Sequence, residues 1–119
     1  MHDMTSETPP FVVMALDFAR ALTSRDYASA YAMTSRDYQR RVPIEDVRAS
    51  FEALLPAEFG DVTSVEIGLT MASWPDKQPS DVGWAYVSIG GDVYSEAVIV
   101  VVTAEDGSLK VRDVTFGRP

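Results

Sequence analysis

The first hydrophobic pattern in the chain has the three- and four-residue spacing of an amphipathic helix. Its stripe consists of Phe11, Ala15, Phe18 and Leu22. Thr8 and the two prolines that follow it are typical of a helix start, because proline lacks an N–H that the first turn does not use. The pattern predicts a helix from about residue 9 to residue 22, with one side facing a core.

A second, shorter helix is predicted after Asp26, whose carboxylate can cap free N–H groups. It begins at Tyr27 and continues through Met33 towards Tyr38. The sequence TSRDY occurs twice, with an offset of eleven residues. Eleven residues are about three turns of helix, so Tyr27 and Tyr38 are expected on one face. The first copy is expected to end one helix and the second copy to end the next. The two copies are therefore not units of a structural repeat.

A third amphipathic helix is predicted between Pro43 and Pro56. Its apolar side is formed by Ile44, Val47, Phe51, Leu54 and Leu55. The first half of the chain is therefore predicted to be helical.

After Gly60 the period of the pattern changes from 3.6 to 2, which indicates strands. Val65, Ile67, Leu69 and Met71 alternate with polar or small residues and are expected on one buried face. A second strand is expected at about 83–89. The unbroken β-branched run 98–102 is typical of a central strand covered on both faces.

The last predicted strand, 109–116, follows a hairpin signal at 105–108, where Gly107 can take a positive φ. Three helices followed by four strands with short or polar links predict an α+β fold with an antiparallel sheet. We expect a single domain over residues 9–119, preceded by a disordered tail of residues 1–8.

Several of these features in this order resemble the nuclear transport factor 2-like superfamily over about residues 9–117. They are the Arg25-Asp26-Tyr27 break, the Tyr27-x-x-Ala30-Tyr31 helix and the final Leu109-Lys110-Val111 strand. The resemblance implies a cone, in which a curved sheet wraps around the helices and leaves a pocket. It also makes a dimer through the outer sheet face an expectation.

That superfamily contains ketosteroid isomerases, dehydratases and non-catalytic members such as bacterial immunity proteins, so the resemblance alone does not select a function. Its isomerase-like members use a tyrosine of the first helix and two pocket acids. The predicted first helix of this chain has no tyrosine.

The charge balance disfavours two classes of partner. Eighteen acidic residues against ten basic ones give a net charge of −8, which repels nucleic acid and anionic membranes. The charge serves solubility, and it also suits a basic protein partner. The acidic N-terminus lacks the pattern of a signal peptide, so we expect a cytoplasmic protein.

Candidate chemistry is sparse. The chain has no cysteine, and its one histidine, His2, lies in the expected tail, so no metal and no cofactor are predicted. Strand alternation places Asp113 with Leu109 and Val111 on a face that would line the pocket, where burial would raise the carboxyl pKa. Alternatively, Val114 and Phe116 form the buried face, or Asp113 lies at the exposed end of the strand.

Four aromatic residues are candidate binding residues together with Asp113. Trp84 and Tyr86 share one strand face and could line a ligand pocket that Tyr31 and Tyr38 close from the helix side. Alternatively they are plain core, or Trp84 and Tyr86 point outward and anchor a dimer or a partner.

The sequence favours a non-catalytic binding domain that docks a protein through an acidic surface, in the manner of an inhibitor or immunity protein. One alternative is a pocket enzyme of the isomerase or dehydratase type that uses Asp113 and a tyrosine. The other is an accessory domain that binds a small apolar ligand or dimerises without turnover.

Overall fold

The computed structural model of the chain describes residues 8–117, so His2 and all of the expected tail except Thr8 lie outside the described residues. The helices are α1 (Pro10–Thr23), α2 (Tyr27–Ala32), α3 (Arg36–Arg41) and α4 (Ile44–Leu54), followed by a 3-10 turn (Ala57–Phe59). The strands are β1 (Ser64–Met71), β2 (Asp81–Gly90), β3 (Ser95–Glu105) and β4 (Ser108–Phe116). The predicted α+β class is confirmed.

The sheet is a four-stranded antiparallel meander in the order β1-β2-β3-β4. The predicted hairpin joins β3 to β4, with Asp106 at φ 53° and Gly107 at φ 80°. Two successive positive φ values match the right-handed twist of the strands, which explains the tight turn. All four helices lie on one face of this sheet, which we call the inner face.

The helical half contains four α-helices rather than the three expected. The second predicted helix ends at Ala32 because the next residues leave the helix to pair with β4: Val111 N–H donates to the Met33 carbonyl, and Ser35 N–H donates to the Val111 carbonyl. The Ser35 hydroxyl then accepts from the Tyr38 N–H and caps α3.

The expectation that Tyr27 and Tyr38 share one face of one helix is therefore wrong. Both copies of TSRDY stand at a helix junction, but the cap is Asp26 in the first copy and Ser35 in the second. At the start of α1, Pro9 rather than Thr8 occupies the cap position, and no side chain caps the helix.

Of the three register shifts in the sheet, those at Gly68 and Arg112 reverse the alternation that the sequence suggests, and the third lies at Val82, at the start of β2. In β1, Ile67 pairs with Val87 and Leu69 with Tyr86, so Gly68 is the extra residue. Val65 and Ile67 face the helices, while Leu69 and Met71 face the other side of the sheet. The expected single buried face of β1 is therefore wrong after Gly68, because a bulge inserts one residue and exchanges the faces.

Candidate functional site

Aliphatic side chains fill the space between the helices and the inner face. Strands β2 and β3 contribute Ala85, Val87, Ile89, Val98, Val100 and Val102, each fully buried. Phe18 and Leu22 of α1 and Phe51 of α4 pack into the same cluster and are also fully buried. The region where the family resemblance implies a pocket is therefore occupied by core side chains.

Asp113 does not face this core. A bulge at Arg112 lets Val111 pair with Val102 and Asp113 pair with Val101, so Asp113 joins the row opposite the helices and is exposed. Val114 faces the helices instead. The expectation that Asp113 shares a face with Val111 is corrected, and its carboxylate accepts a hydrogen bond from the adjacent Val114 N–H at 3.0 Å.

The two helical tyrosines lie on the inner side of the sheet. The Tyr31 hydroxyl donates to the carbonyl of Val42 at 2.7 Å, which ties α2 to the start of α4. Tyr38 is 3% exposed, and burial, assisted by the negative charge of Asp113, raises its pKa to about 12. Its hydroxyl therefore stays protonated at neutral pH.

Trp84 and Tyr86 lie on the opposite side, which we call the outer face, so the structure does not bring the four predicted aromatic residues into one pocket. In β2 their side chains alternate with Ala85 and Val87, which contact the helices. The sheet itself separates them from Tyr31 and Tyr38. Their outward direction is the alternative in which these aromatics anchor a partner.

The outer face carries an apolar cluster of its own. Its members, which we call the outer cluster, are Leu69, Met71, Trp84, Tyr86, Ile99 and Val101. None of them belongs to the core cluster on the inner side. Ile99 and Val101 are 6% and 7% exposed, whereas Leu69 is 55% exposed, so the cluster has a covered centre and an accessible flank.

Acidic side chains border the outer cluster. Glu66 and Asp113 are exposed and lie in outer-face rows, paired with Ser88 and Val101. Along the sequence from 49 to 109 there are ten acidic residues and one basic residue, Lys77. The excess negative charge is therefore concentrated in this stretch of the chain, which contains β1, β2 and β3 with their connections.

The arginines of the chain are concentrated elsewhere. Arg40 and Arg41 both contact Asp37 within α3, and Arg36 contacts Asp106 at the β3–β4 hairpin. These cations are largely balanced by neighbouring acids at the β4 edge. At the border of the outer cluster, Glu66 and Asp113 form no ion pair with another described residue.

A buried ion pair, which the sequence did not predict, lies at one end of the outer face. Arg112 donates to both carboxylate oxygens of Asp81, at 2.7 and 2.8 Å. Burial opposes ionisation of Asp81, but hydrogen bonds from Arg112 and from the Gln78 N–H outweigh it and hold the carboxyl pKa below its usual range. The pair fastens the 72–80 loop to β4.

A second polar cluster joins α2 to α4. The Tyr27 hydroxyl donates to Glu52 Oε2 at 3.0 Å, and Arg48 Nε donates to the same atom at 3.3 Å. Arg25, with φ 63°, donates to the Leu55 carbonyl at 2.9 Å. Burial raises the pKa of Tyr27, so its hydroxyl remains a donor, and the cluster acts as a fastening between helices.

None of the described helices is both long enough and apolar enough to cross a membrane. Within residues 8–117 no group of three acidic or histidine side chains is arranged to hold a metal ion. No protein-family model matches the chain, and no curated protein or solved structure shows significant similarity to it.

Proposed function

We propose that the chain is a non-catalytic protein-binding domain that docks a basic protein through the outer face of its sheet. The observation that carries the proposal is the outer cluster, an apolar surface around Trp84 and Tyr86 with acidic residues at its border. An apolar centre with large aromatics and a charged rim is the usual composition of a binding surface.

The sequence of β3 supports this location. Every residue from 97 to 103 is buried and six of these seven are apolar, a pattern typical of strands with layers on both sides. In the described residues the helices cover only the inner face. The outer-face residues of β3 are already covered within the chain, so a partner would contact the more accessible Leu69, Trp84 and Tyr86.

The charge of the outer face distinguishes between a second copy of the chain and a basic protein as its partner. A second copy of the chain would bring another surface of the same sign, with Glu66 and Asp113 on both sides, whereas a basic partner gains attraction and a faster association rate. We therefore favour a basic protein over a homodimer. The assignment to the nuclear transport factor 2-like superfamily and the cytoplasmic location belong to the same proposal and rest on the sequence.

Catalysis is less well supported than binding. General acid–base chemistry needs an ionisable group poised in a water-excluded pocket beside its substrate. The inner side holds aliphatic core residues, and Asp113, the candidate carboxylate, is exposed on the outer face. No observation favours the small apolar ligand or the isomerase alternative.

The test begins with capture of partners from an extract by the wild-type chain, followed by titration of the identified, purified protein. We expect a protein with a basic isoelectric point whose affinity falls at least tenfold for Tyr86→Ala. The matched control is Val93→Ala, because Val93 is an 83% exposed apolar residue in the β2–β3 connection, outside the outer cluster.

Two results would contradict the proposal. One is a purified partner whose affinity is equal for Tyr86→Ala and Val93→Ala. The other is a wild-type chain that forms a stable homodimer through the outer face, detected as a mass change that Tyr86→Ala abolishes.

A further inference from the structure

The two edge strands of the sheet, β4 and β1, differ in whether the rest of the chain covers them. At the β4 edge, the segment between α2 and α3 pairs with the strand, with Thr34 forming a parallel bridge to Val111. Lys110 and Arg112 lie in the same strand, and their side chains contact neighbouring groups. That edge is covered, and its strand contains basic side chains of the kind that commonly protect an edge.

The β1 edge has no such cover in the described part of the chain. β1 is eight residues long and pairs with β2 alone, so about half of its backbone N–H and C=O groups point away from the sheet. Its sequence, SVEIGLTM, contains neither the lysine nor the proline that commonly protects an edge. The bulge at Gly68 divides the edge and leaves Ser64–Ile67 as a regular stretch.

A groove runs beside the beginning of this edge. One wall is the last turn of α1, with Arg20, Thr23 and Ser24, and the other is the segment 61–65. The groove has a volume of about 580 Å³ and is open to solvent. An extended segment paired with β1 would therefore meet a helix wall as well as a strand.

The charge of this region favours a basic segment. Asp61 and Glu66 are exposed at or near the edge, and Arg20 lies 3.9 Å from Asp17, which offsets it. Two copies of β1 paired edge to edge would bring acidic side chains of the same kind together, which disfavours self-association. A strand that carries lysine or arginine side chains would be attracted.

We propose that the free edge of β1 accepts an extended, basic segment of the partner as a fifth strand of the sheet. Backbone hydrogen bonds to Ser64–Ile67 would supply most of the recognition, and Asp61 and Glu66 would select for positive side chains. This inference rests on the proposed function for the basic character of the partner, but it concerns a different surface from the outer cluster.

The test uses a synthetic octapeptide of alternating lysine and valine. We expect saturable binding and at least roughly tenfold slower hydrogen exchange of those β1 amides that point away from β2. A matched peptide with alternate backbone amides N-methylated has the same charge but cannot complete the ladder, and it should bind at least about tenfold more weakly. Equal binding of the two peptides, or protection confined to other elements, would overturn the inference.

A charge reversal gives a second check that leaves the fold intact, because Glu66 is exposed. Glu66→Lys should weaken the lysine peptide and strengthen a glutamate–valine peptide, each by roughly threefold to tenfold. An unchanged preference for the lysine peptide would count against the edge site.

The two proposals fail in different ways. Trp84→Ala should reduce the affinity for the purified partner and leave lysine-peptide binding unchanged, because Trp84 is in β2 and pairs with Met71, at the other end of β1 from Ser64–Ile67. Loss of peptide selectivity with retained sensitivity to Trp84→Ala would overturn the edge site and leave the outer-face proposal standing. Retained peptide selectivity with no sensitivity of partner affinity to Trp84→Ala would overturn the outer-face proposal and leave the edge site standing.

Discussion

The inner and outer faces of β2 differ in the size of their side chains. Ala85 and Val87, which are small, point towards the helices, whereas Trp84 and Tyr86, which are large, point away from them. Small inner residues allow α1 to approach the sheet closely, as Phe11 does over Gly83. The large aromatics add nothing to that core, so the stability of the fold and the proposed binding reside on opposite sides of one strand.

The two faces should differ most in stability when a side chain is removed from the inner core. Phe51→Ala removes a fully buried ring, and we expect the free energy of unfolding to fall by about 3–5 kcal/mol. Phe59→Ala is the matched control, because Phe59 is 44% exposed and lies outside the core cluster, and it should cost about 1 kcal/mol. Urea unfolding of both variants measures the difference, and equal losses would contradict the assignment of the core.

The Asp81–Arg112 pair ties one end of the outer face together. Arg112→Met leaves the Asp81 carboxylate buried without its partner, which should cost about 3 kcal/mol. Because the pKa of Asp81 is lowered in the folded state, its ionised carboxylate stabilises the fold at pH values above its unfolded-state pKa. This stabilisation is lost as the pH falls below about 4. Urea unfolding at pH 7 and pH 3 should show a smaller acid-induced loss in the variant than in the wild type, and identical losses would show that Asp81 is not the group responsible.

Truncation of a side chain in the outer cluster should reduce partner affinity much more than it reduces stability. Trp84→Ala should reduce the affinity for the purified partner by about 2 kcal/mol, or roughly 30-fold, because a central aromatic contributes most when it is enclosed by the partner. The unfolding free energy should change by only about 1 kcal/mol, since Trp84 is partly exposed and outside the core. Calorimetric titration and urea unfolding together test this, and a large loss of stability with unchanged affinity would reverse the roles of the faces.

Neutralising an acidic residue at the border should have the smallest effect on partner binding. Glu66→Gln should weaken partner binding by about 0.5–1 kcal/mol, mainly through a slower association rate, and should reduce the dependence of affinity on salt. Glu45→Gln is the matched control, because Glu45 is exposed on α4 and remote from the outer face. Stopped-flow association rates at several salt concentrations would show whether the two variants differ, and identical rates would remove Glu66 from the interface.

The sequence predicted the architecture because periodicity is a local property. The change from a helical to an alternating pattern near Gly60 separates the helices from the sheet, and the 105–108 hairpin follows from turn residues alone. The shared face of Trp84 and Tyr86 was also predictable, because no bulge falls between them. Which side that face takes depends on where the helices pack, which is a tertiary property.

The errors came from single residues whose role depends on distant partners. One extra residue at Gly68 and one at Arg112 exchange the faces of β1 and β4, and alternation counted along either strand cannot detect them. The break at Thr34 has a similar origin, because the chain leaves the helix there to pair with β4. The ion pair of Arg112 with Asp81 joins residues 31 positions apart in sequence.

Hydroxyl-radical footprinting of the chain, free and bound to its purified basic partner, tests the outer-face proposal most directly. We expect the oxidation rates of Met71, Trp84 and Tyr86 to fall several-fold in the complex, while the rate of the exposed ring of Phe59 stays unchanged. Unchanged oxidation of the three outer-cluster residues in the complex, with protection on the helices instead, would contradict the proposal that the outer face of the sheet is the docking surface.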